Sequence, residues 1–222
     1  MKKVLIVGAS RGIGLEFVRQ YRQAGDAVTA TARGAEGLAR IEALGAQALM
    51  LDVADAGSAA ALAPALAGRT FDVVVLNAGV YGPKTQGQQT PTAEEFDSVM
   101  HTNLLGAMRV LPQLAAVLAP AAKLAVISSR MGSMGLREST AGWLYRASKA
   151  ALNSVLKDAS IALAGKAVCL AFHPGWVRTD MGGAGADLDV ATSVADMRRT
   201  LAGLRASDNG GFFNHDGQPL AW

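Results

Sequence analysis

The feature that most constrains this chain is a regular alternation of short apolar runs with longer stretches rich in Ala and Leu. The short runs favour β-branched residues, while the long ones repeat apolar residues at helical spacing. This alternation is typical of βαβ units on a parallel sheet. It predicts strands at Lys3–Val7, Ala27–Thr31, Gln47–Leu51, Val73–Leu76, Lys123–Ile127, Ala167–Phe172 and Gly211–Phe213. The helices predicted between them are Ile13–Ala24, Glu36–Leu44, Ala56–Leu66, Thr92–Leu118, Gly142–Leu163 and Val190–Leu204.

The order of these elements predicts the fold class. Right-handed crossovers between parallel strands place helices on both faces of the sheet. We therefore expect a doubly wound α/β/α sandwich of three layers, a Rossmann-type fold with a mostly parallel sheet of seven strands. With 222 residues, half of them hydrophobic, the chain can bury one sizeable core, so we expect a single domain over residues 1–222. Functional residues are expected at the carboxyl ends of the strands.

Charge and composition argue against several classes of function. The net charge of +3 comes from scattered Lys and Arg residues and not from a basic tract, so nucleic acid is not an expected partner. No apolar run is long enough to cross a bilayer, and no membrane partner is expected. The single cysteine, Cys169, excludes an internal disulfide and indicates a cytoplasmic protein. The three histidines, His101, His173 and His215, lack the spacing of metal ligands, so no metal is expected.

A glycine-rich turn joins the first strand to the first helix. It reads Gly-Ala-Ser-Arg-Gly-Ile-Gly from Gly8 to Gly14. Glycine permits the tight turn and a close backbone approach, and the amides at a helix N-terminus bind a pyrophosphate. Such a cluster could also serve only as a turn, but its position between strand and helix favours a dinucleotide site. The candidate contacts are Gly8, Ser10, Arg11, Gly12, Ile13 and Gly14.

The end of the second strand favours NADP(H) over NAD. An NAD site usually places a carboxylate there for the ribose 2′-hydroxyl. Here the strand reads Val-Thr-Ala-Thr-Ala from Val28 and is followed at once by Arg33, with no acidic residue. Arg33 and Arg11 suit fork-like contacts with a 2′-phosphate, although both arginines could also be merely solvated.

Five further motifs follow in order along the chain. They are Asn77-Ala78-Gly79, Asn103 within a predicted helix, Ser128-Ser129, Tyr145-Arg146-Ala147-Ser148-Lys149 and His173-Pro174-Gly175-Trp176-Val177. With the glycine turn, this set resembles the short-chain dehydrogenase/reductase family over nearly the full length. The run Pro174–Asp180 and the run Gly210–Trp222 further resemble its C-factor-like and carbonyl-reductase-like branch. The resemblance implies an NADP(H)-dependent oxidoreductase that acts on a small carbonyl or alcohol substrate.

Tyr145 and Lys149 are the candidate acid/base pair. They lie four residues apart in a predicted helix, so both side chains project from one face. A nearby ammonium stabilises a phenolate, and we therefore expect Lys149 to lower the pKa of Tyr145. An exposed polar pair on a helix surface is the alternative. By the resemblance, Lys149 also holds the ribose hydroxyls of the nicotinamide.

Two serines compete for the role of holding the substrate oxygen. The resemblance assigns this role to Ser129, which ends the fifth strand. Ser129 lies 16 residues before Tyr145, which indicates an insertion within Met131–Thr140. Ser133, inside that loop, is the competitor, and simple turn chemistry is the alternative for both. Asn103 is unusual inside a helix; the resemblance implies that it distorts the helix and holds a water linked to the lysine.

The resemblance adds further cofactor contacts and a substrate wall. The cofactor residues are Asp52, Val53, Asn77, Ala78, Gly79, Pro174, Gly175, Val177 and Thr179. Asp52 could equally be a charge at a helix N-terminus, since Asp55 and Ser58 follow. Large apolar side chains predict an open pocket for a hydrophobic carbonyl compound, although each could also be core filling. They are Tyr81, Met131, Met134, Trp143, Trp176 and Met181.

The sequence is also compatible with two other functions, and it predicts self-association. A sensor that binds NADP(H) without turnover is the main rival, although it would not need Tyr145 as an acid/base. A flavodoxin-like module would explain the glycine turn but not the Tyr145–Lys149 pair. Apolar outer positions on the helices Thr92–Leu118 and Gly142–Leu163 predict a homo-oligomer, a dimer or a tetramer.

Overall fold

The protein has a three-layer α/β/α fold, as the alternation predicts. The computed structural model describes residues 1–222. Seven strands form one sheet in the order β3-β2-β1-β4-β5-β6-β7, and every adjacent pair is parallel. The strands are β1 (Lys3–Val7), β2 (Ala27–Ala32), β3 (Gln47–Met50), β4 (Phe71–Leu76), β5 (Leu118–Ile127), β6 (Ala167–His173) and β7 (Gly211–Asn214).

Eight α-helices connect and flank the strands. They are α1 (Gly12–Gln23), α2 (Ala35–Ala43), α3 (Ala56–Ala60), α4 (Leu62–Ala65), α5 (Ala93–Met100), α6 (Gly106–Leu114), α7 (Trp143–Ala162) and α8 (Val190–Gly203). A π-helical turn, His101–Leu105, separates α5 from α6. Short 3-10 turns occur at Ala115–Val117, Arg130–Gly132 and Ala206–Asp208. No helix is long and apolar enough to cross a membrane.

Two predicted helices are wrong in their extent. The helix predicted over Ala56–Leu66 is divided at Ala61 into α3 and α4, because Pro64 has no N–H to donate to the preceding turn. The helix predicted over Thr92–Leu118 begins as expected, with a capping box between Thr92 and Glu95. It ends early because Leu118 pairs with Phe71 and so begins β5.

Two apolar layers cover the two faces of the sheet. Alternate residues of the central strands face opposite sides. Leu5 and Val7 pack in a cluster of 24 buried residues with α6 and α7. Val4 and Ile6 pack in a second cluster of 20 with α1, α2 and α8. Because the chain winds away from β1 on one side and from β4 on the other, a crevice opens between these two strands at their carboxyl ends.

Candidate active site

A cleft of about 480 Å³ lies at the carboxyl ends of the strands. It opens at the crevice between β1 and β4, where a doubly wound sheet binds its ligands. Most of the candidate cofactor residues line it, namely Gly8, Ser10, Arg11, Gly12, Ile13, Arg33, Asp52, Val53, Asn77, Ala78, Gly79, Tyr145, Lys149, Pro174 and Thr179. Residues as distant in the chain as Gly8 and Thr179 thus line one cleft.

Three candidate cofactor residues, Gly14, Gly175 and Val177, are not among the residues that line the cleft. A Cβ added to Gly14 would lie 2.7 Å from Asn77 Nδ2, so this glycine allows α1 to approach the strand ends. Gly175 has a φ of +86° and leaves no room beside Leu188. Val177 is buried and bridges to Leu188. These residues lie behind the cleft, where they allow the backbone segments that form its loops to pack closely.

The glycine turn is held in place by its neighbouring strands. Gly8 has a φ of +86°, and its N–H donates to Thr31 Oγ1 at 3.1 Å. Asn77 Nδ2 donates to the Gly8 carbonyl at 2.6 Å. A Cβ at Gly8 would lie 2.7 Å from Ala78 Cα, so no other residue fits. The turn therefore keeps its backbone exposed to the cleft as a rigid cradle.

Arginines lie near the end of β2, and the strand itself ends without a carboxylate; Asp52 follows the neighbouring strand β3. The strand ends at Ala32, and Arg33 follows with an exposed side chain that has no hydrogen-bond or salt-bridge partner in the protein. Arg11 forms an exposed ion pair with Asp180 across the cleft mouth. Arg40 Nη1 donates to the Ser10 carbonyl at 3.1 Å. The free cation nearest the β2 end is thus Arg33.

Tyr145 is buried in the first turn of α7, where its side chain reaches the cleft. Burial raises the pKa of Tyr145 to about 12, against an opposing effect of a hydrogen bond with Ser129. The Tyr81 ring stacks on the Tyr145 ring, with centroids 4.5 Å apart and an interplanar angle of 24°. The phenol is therefore neutral at physiological pH and is held between a serine hydroxyl and an aromatic wall.

Lys149 lies one helical turn from Tyr145 and is buried. Its Nζ is 5.7 Å from the centroid of the Tyr145 ring and donates to the Ile127 carbonyl at 2.8 Å. Burial lowers the pKa of Lys149 to about 8. The expected lowering of the Tyr145 pKa by Lys149 is not found in this arrangement, in which burial of the phenol has the largest effect and raises the pKa.

Asn103 interrupts the long helix as expected. It is buried within the π-helical turn, and its amide bonds to both backbone groups of Val80, accepting from N–H at 2.8 Å and donating to the carbonyl at 2.8 Å. Its Nδ2 also donates to Ser148 Oγ at 2.9 Å, and that hydroxyl donates to the Tyr145 carbonyl at 2.8 Å. Asn103 thus links the loop after β4 to the helix that carries Tyr145 and Lys149.

The two candidate serines differ in what their hydroxyls contact. Ser129 Oγ accepts from the Met131 N–H at 3.1 Å and lies beside Tyr145. Ser133 is completely buried, and its hydroxyl faces the carbonyl oxygens of Ala221 and Trp222. Only Ser129 is placed to share a substrate oxygen with Tyr145.

Asp52 and Thr179 occupy opposite walls of the cleft. Asp52 Oδ1 accepts from the Ala54 N–H at 2.9 Å, whereas Asp55 accepts from the Ser58 N–H and caps α3. Asp52 is therefore not the helix cap, and it is free to line the cleft. Thr179 Oγ1 accepts from the Gly182 N–H at 3.1 Å, which fixes the loop after β6.

The candidate substrate side chains are distributed unevenly. Tyr81 stacks on Tyr145, and Met181 lines the cleft. Trp143 and Trp176 use their indole N–H groups for the carbonyls of Gln89 and Gly182. Met134 is 73% exposed. No group of three or more His, Cys, Asp or Glu residues could hold a metal ion.

Several cleft residues were not identified from the sequence. Thr31 carries no signal beyond that of a strand residue, and the ion pair of Asp180 with Arg11 joins residues far apart in the chain. The sequence predicts no role for Ser148, which links Asn103 to the Tyr145 carbonyl. The residues missed in the cleft lining are Thr31, Ala32, Leu51, Val80, Thr102, Ile127, Ser128, Arg178, Asp180 and Val190.

Comparison with known families agrees with this geometry. Residues 2–187 match the model of the short chain dehydrogenase family. The chain belongs to the short chain dehydrogenases. This family consists of oxidoreductases. Individual relatives support both the seven-stranded parallel sheet and the carbonyl-reductase-like branch that the motifs predict.

Three relatives illustrate the range of the short chain dehydrogenases that this chain resembles. The C-signal protein of Myxococcus xanthus is 36% identical over 154 residues, covering 68% of this chain and 92% of that protein. The carbonyl reductase Sniffer of Drosophila melanogaster is 30% identical, with a TM-score of 0.92 and full coverage of both chains. A carbonyl reductase of Pseudomonas aeruginosa solved in complex with NADP is 35% identical, with a TM-score of 0.89 and full coverage of both.

Proposed function

We propose that this protein is an NADP(H)-dependent carbonyl reductase or alcohol dehydrogenase in which Tyr145 exchanges a proton with the substrate oxygen. One observation carries the proposal: the Tyr145 side chain lines the cleft, makes a hydrogen bond with Ser129 and lies one helical turn from Lys149. Family membership supports an oxidoreductase, and the NADP bound to the Pseudomonas relative supports the cofactor.

The residues of the cleft fit a dinucleotide phosphate. Gly8 and Gly12 line the cleft at the N-terminus of α1, and glycine at Gly8 lets the backbone pack tightly on Ala78, as the turn of a pyrophosphate site requires. Arg33 offers an unpartnered guanidinium at the end of β2, and the strand itself ends without a carboxylate for a ribose 2′-hydroxyl. We assign the adenine side to Asp52 and Val53, and the backbone beside the cofactor to Asn77–Gly79.

The nicotinamide end falls on the opposite wall of the cleft. Thr179 and Pro174 line that wall, and Lys149 reaches the cleft from α7, where its ammonium can hold ribose hydroxyls. Gly175 and Val177 support this loop from behind. When bound, the cofactor supplies a hydride to the substrate carbonyl carbon, or accepts one from the alcohol carbon.

The protein's own groups handle the substrate oxygen. In the direction of reduction, the Tyr145 O–H donates its proton to the carbonyl oxygen, and Ser129 donates a hydrogen bond to the same oxygen as charge develops on it. The raised pKa of Tyr145 keeps this proton in place at neutral pH. Lys149, with a pKa of about 8, is mostly protonated at neutral pH, so its ammonium can stabilise the phenolate that Tyr145 becomes when it gives up its proton. Oxidation follows the reverse path.

The substrate we propose is a hydrophobic carbonyl or alcohol compound. Tyr81 stacks on the ring of Tyr145, and Met181 lines the same cleft, so apolar groups are available to a hydrophobic substrate. Residues 1–222 would act as one domain that holds both cofactor and catalytic groups. The exposed Phe96, Met108 and Ile161 on α5, α6 and α7 support a homo-oligomer, and the single buried thiol Cys169 suits the cytoplasm.

A sensor that binds NADP(H) without turnover is the second candidate. The similarity to the C-signal protein of Myxococcus xanthus keeps this function open. A sensor, however, has no need of a buried phenol in hydrogen-bond contact with a serine, and burying both polar groups costs stability. Catalysis therefore explains more of the site.

The deciding experiment follows NADPH oxidation with a panel of aldehydes, ketones and quinones. We expect turnover by the native chain, and a loss of at least about 100-fold in kcat for Tyr145→Phe, because general acid catalysis contributes factors of this size. The binding of NADPH, measured by fluorescence titration, should change little, because the ring remains.

The matched control is Tyr21→Phe. Tyr21 is also buried, its pKa is also raised to about 12 by burial, and it lies at the opposite end of the sheet in contact with Arg198. This variant should turn over like the native chain. Tight NADPH binding without turnover on any substrate would establish the sensor instead.

A further inference from the structure

Ser133 ties the segment after β5 to the last residues of the chain. Its hydroxyl lies 2.7 Å from the carbonyl oxygen of Ala221 and 3.2 Å from that of Trp222. The same oxygen accepts a hydrogen bond from the Leu136 N–H at 3.0 Å. The Ser133 side chain is completely buried, so its proton and its acceptor capacity are used within the protein.

The segment Pro219–Trp222, here called the tail, is itself anchored to the sheet. The Leu220 N–H donates to the carbonyl of Phe212 in β7 at 2.8 Å. The Trp222 ring stacks on the Phe212 ring with centroids 5.2 Å apart, and Phe212 is part of the core. The Trp222 carbonyl also accepts from the Gly135 N–H at 3.0 Å. The tail is therefore a fixed support for the Ser133 loop.

The opposite side of the same loop rests on the catalytic helix. A Cβ added to Gly132 would lie 2.8 Å from the backbone carbon of Lys149, so the 3-10 turn after Ser129 packs directly on α7. The first N–H of that turn, from Met131, donates to Ser129 Oγ. The loop is thus held between α7 on one side and the tail on the other, with Ser129 at its start.

We infer that Ser133 is a positioning residue: through its hydrogen bonds to Ala221 and Trp222 it holds the loop so that the Ser129 hydroxyl stays beside Tyr145. This role rests on the function proposed above. Ser133 does not touch the cofactor cleft, and its loss should affect the placement of Ser129 rather than the binding of NADPH. Trp222 contributes to the same support, because its carbonyl lies beside the Ser133 hydroxyl and its ring anchors the tail on Phe212.

The test compares Ser133→Ala, Trp222→Ala and the double variant. We expect kcat for a carbonyl substrate to fall about tenfold in each single variant, because small misplacements of a catalytic group have effects of this size or larger. The Kd for NADPH should stay within about twofold of the native value. The double variant should lose little more than either single one, because both substitutions release the loop from the same support, the tail. Trp222→Phe keeps a ring on Phe212 and should restore most of kcat.

Two controls separate positioning from general loss of structure. Ser139→Ala removes another serine from the same loop, one whose hydroxyl contacts only the exposed Ala141 N–H, and it should leave kcat unchanged. Hydrogen exchange should accelerate over residues 129–136 in Ser133→Ala and remain unchanged in α1 and β1. Should Ser133→Ala fail to fold, Trp222→Ala tests the same support, because it removes the ring that anchors the tail on Phe212.

The outcomes are distinct for this inference and for the proposed function. A native kcat in Ser133→Ala, or unchanged exchange over residues 129–136, overturns the positioning role. Equal losses in kcat and in NADPH affinity also overturn it, because they indicate general damage. Absence of turnover in the native chain refutes the proposed function, and hydrogen exchange then still decides whether Ser133 and Trp222 hold the loop.

Discussion

Single residues decide which cofactor the cleft accepts. Two arginines suit a 2′-phosphate, but Arg11 is engaged with Asp180 in an exposed ion pair, whereas Arg33 has no partner. Exposed pairs of this kind contribute little to stability, and a competing phosphate can open them. Arg33 therefore offers the cleaner test of the preference for NADP(H).

Arg33→Ala should weaken NADPH binding much more than NADH binding. An arginine bonded to a phosphate contributes about 1.5–3 kcal/mol, which corresponds to about 10- to 100-fold in Kd. Titration of both cofactors by nucleotide fluorescence measures this. Arg69→Ala, whose side chain contacts Gln47 away from the cleft, is the matched control. Equal weakening of NADPH and NADH binding in Arg33→Ala would show that Arg33 does not select for the 2′-phosphate.

The choice between Ser129 and Ser133 cannot be made from the types of the residues alone. Ser129 and Ser133 are both turn residues in a stretch with an unusual spacing, and their identity alone does not distinguish them. The distinction comes from contacts with residues 88 positions further along the chain, since Ser133 bonds to Ala221. Tyr145 and Lys149, in contrast, are related by helical spacing, which is a local property.

Among the elements, the long connection between β4 and β5 departs most from a regular helix. The π-helical turn at His101–Leu105 places Asn103 toward Val80, and the amide satisfies both backbone groups of that residue. π-bulges of this kind are often found at functional sites. Helical periodicity does not register a single extra residue in a turn, and this detail was therefore expected only from the family resemblance.

The outer faces of α5, α6 and α7 predict self-association. Phe96, Met108 and Ile161 are 46%, 50% and 67% exposed on one side of the sheet. We expect light scattering to give the mass of a dimer or tetramer for the native chain. Phe96→Glu with Met108→Glu should shift this mass toward the monomer, because buried carboxylates oppose association.

Met50→Glu provides the control for this surface. Met50 is 67% exposed on β3 at one edge of the sheet, away from these helices, and its replacement should not change the mass. A monomeric native chain, or equal effects of both substitutions, would contradict the prediction.

For the whole molecule, acid stability depends on a histidine at the end of β6. Burial lowers the pKa of His173 to about 4, and the nearby charges of His215 and Arg130 act in the same direction. Its Nδ1 is buried without a partner. Because the folded pKa lies below the unfolded value of about 6.5, this contribution to stability is complete above about pH 6.5 and is lost as the pH falls toward 4.

We expect the free energy of unfolding to fall by up to about 2 kcal/mol between pH 7 and pH 5 from His173 alone. Urea unfolding at both pH values measures it. In His173→Asn most of this dependence should disappear, whereas His101→Asn, at an exposed position, should retain it. A His173→Asn variant with the native pH dependence would refute the assignment.

The sequence by itself determined the parallel sheet, the order of the motifs at the ends of its strands, the glycine turn and the Tyr145–Lys149 pair. These depend on periodicity and short spacing, which act over a few residues and are visible in the chain. Only the tertiary structure decided where β5 begins, which serine lies beside Tyr145, that Arg11 is engaged by Asp180, and that burial raises the pKa of Tyr145. These properties arise from contacts and desolvation between distant segments, and no local pattern contains them.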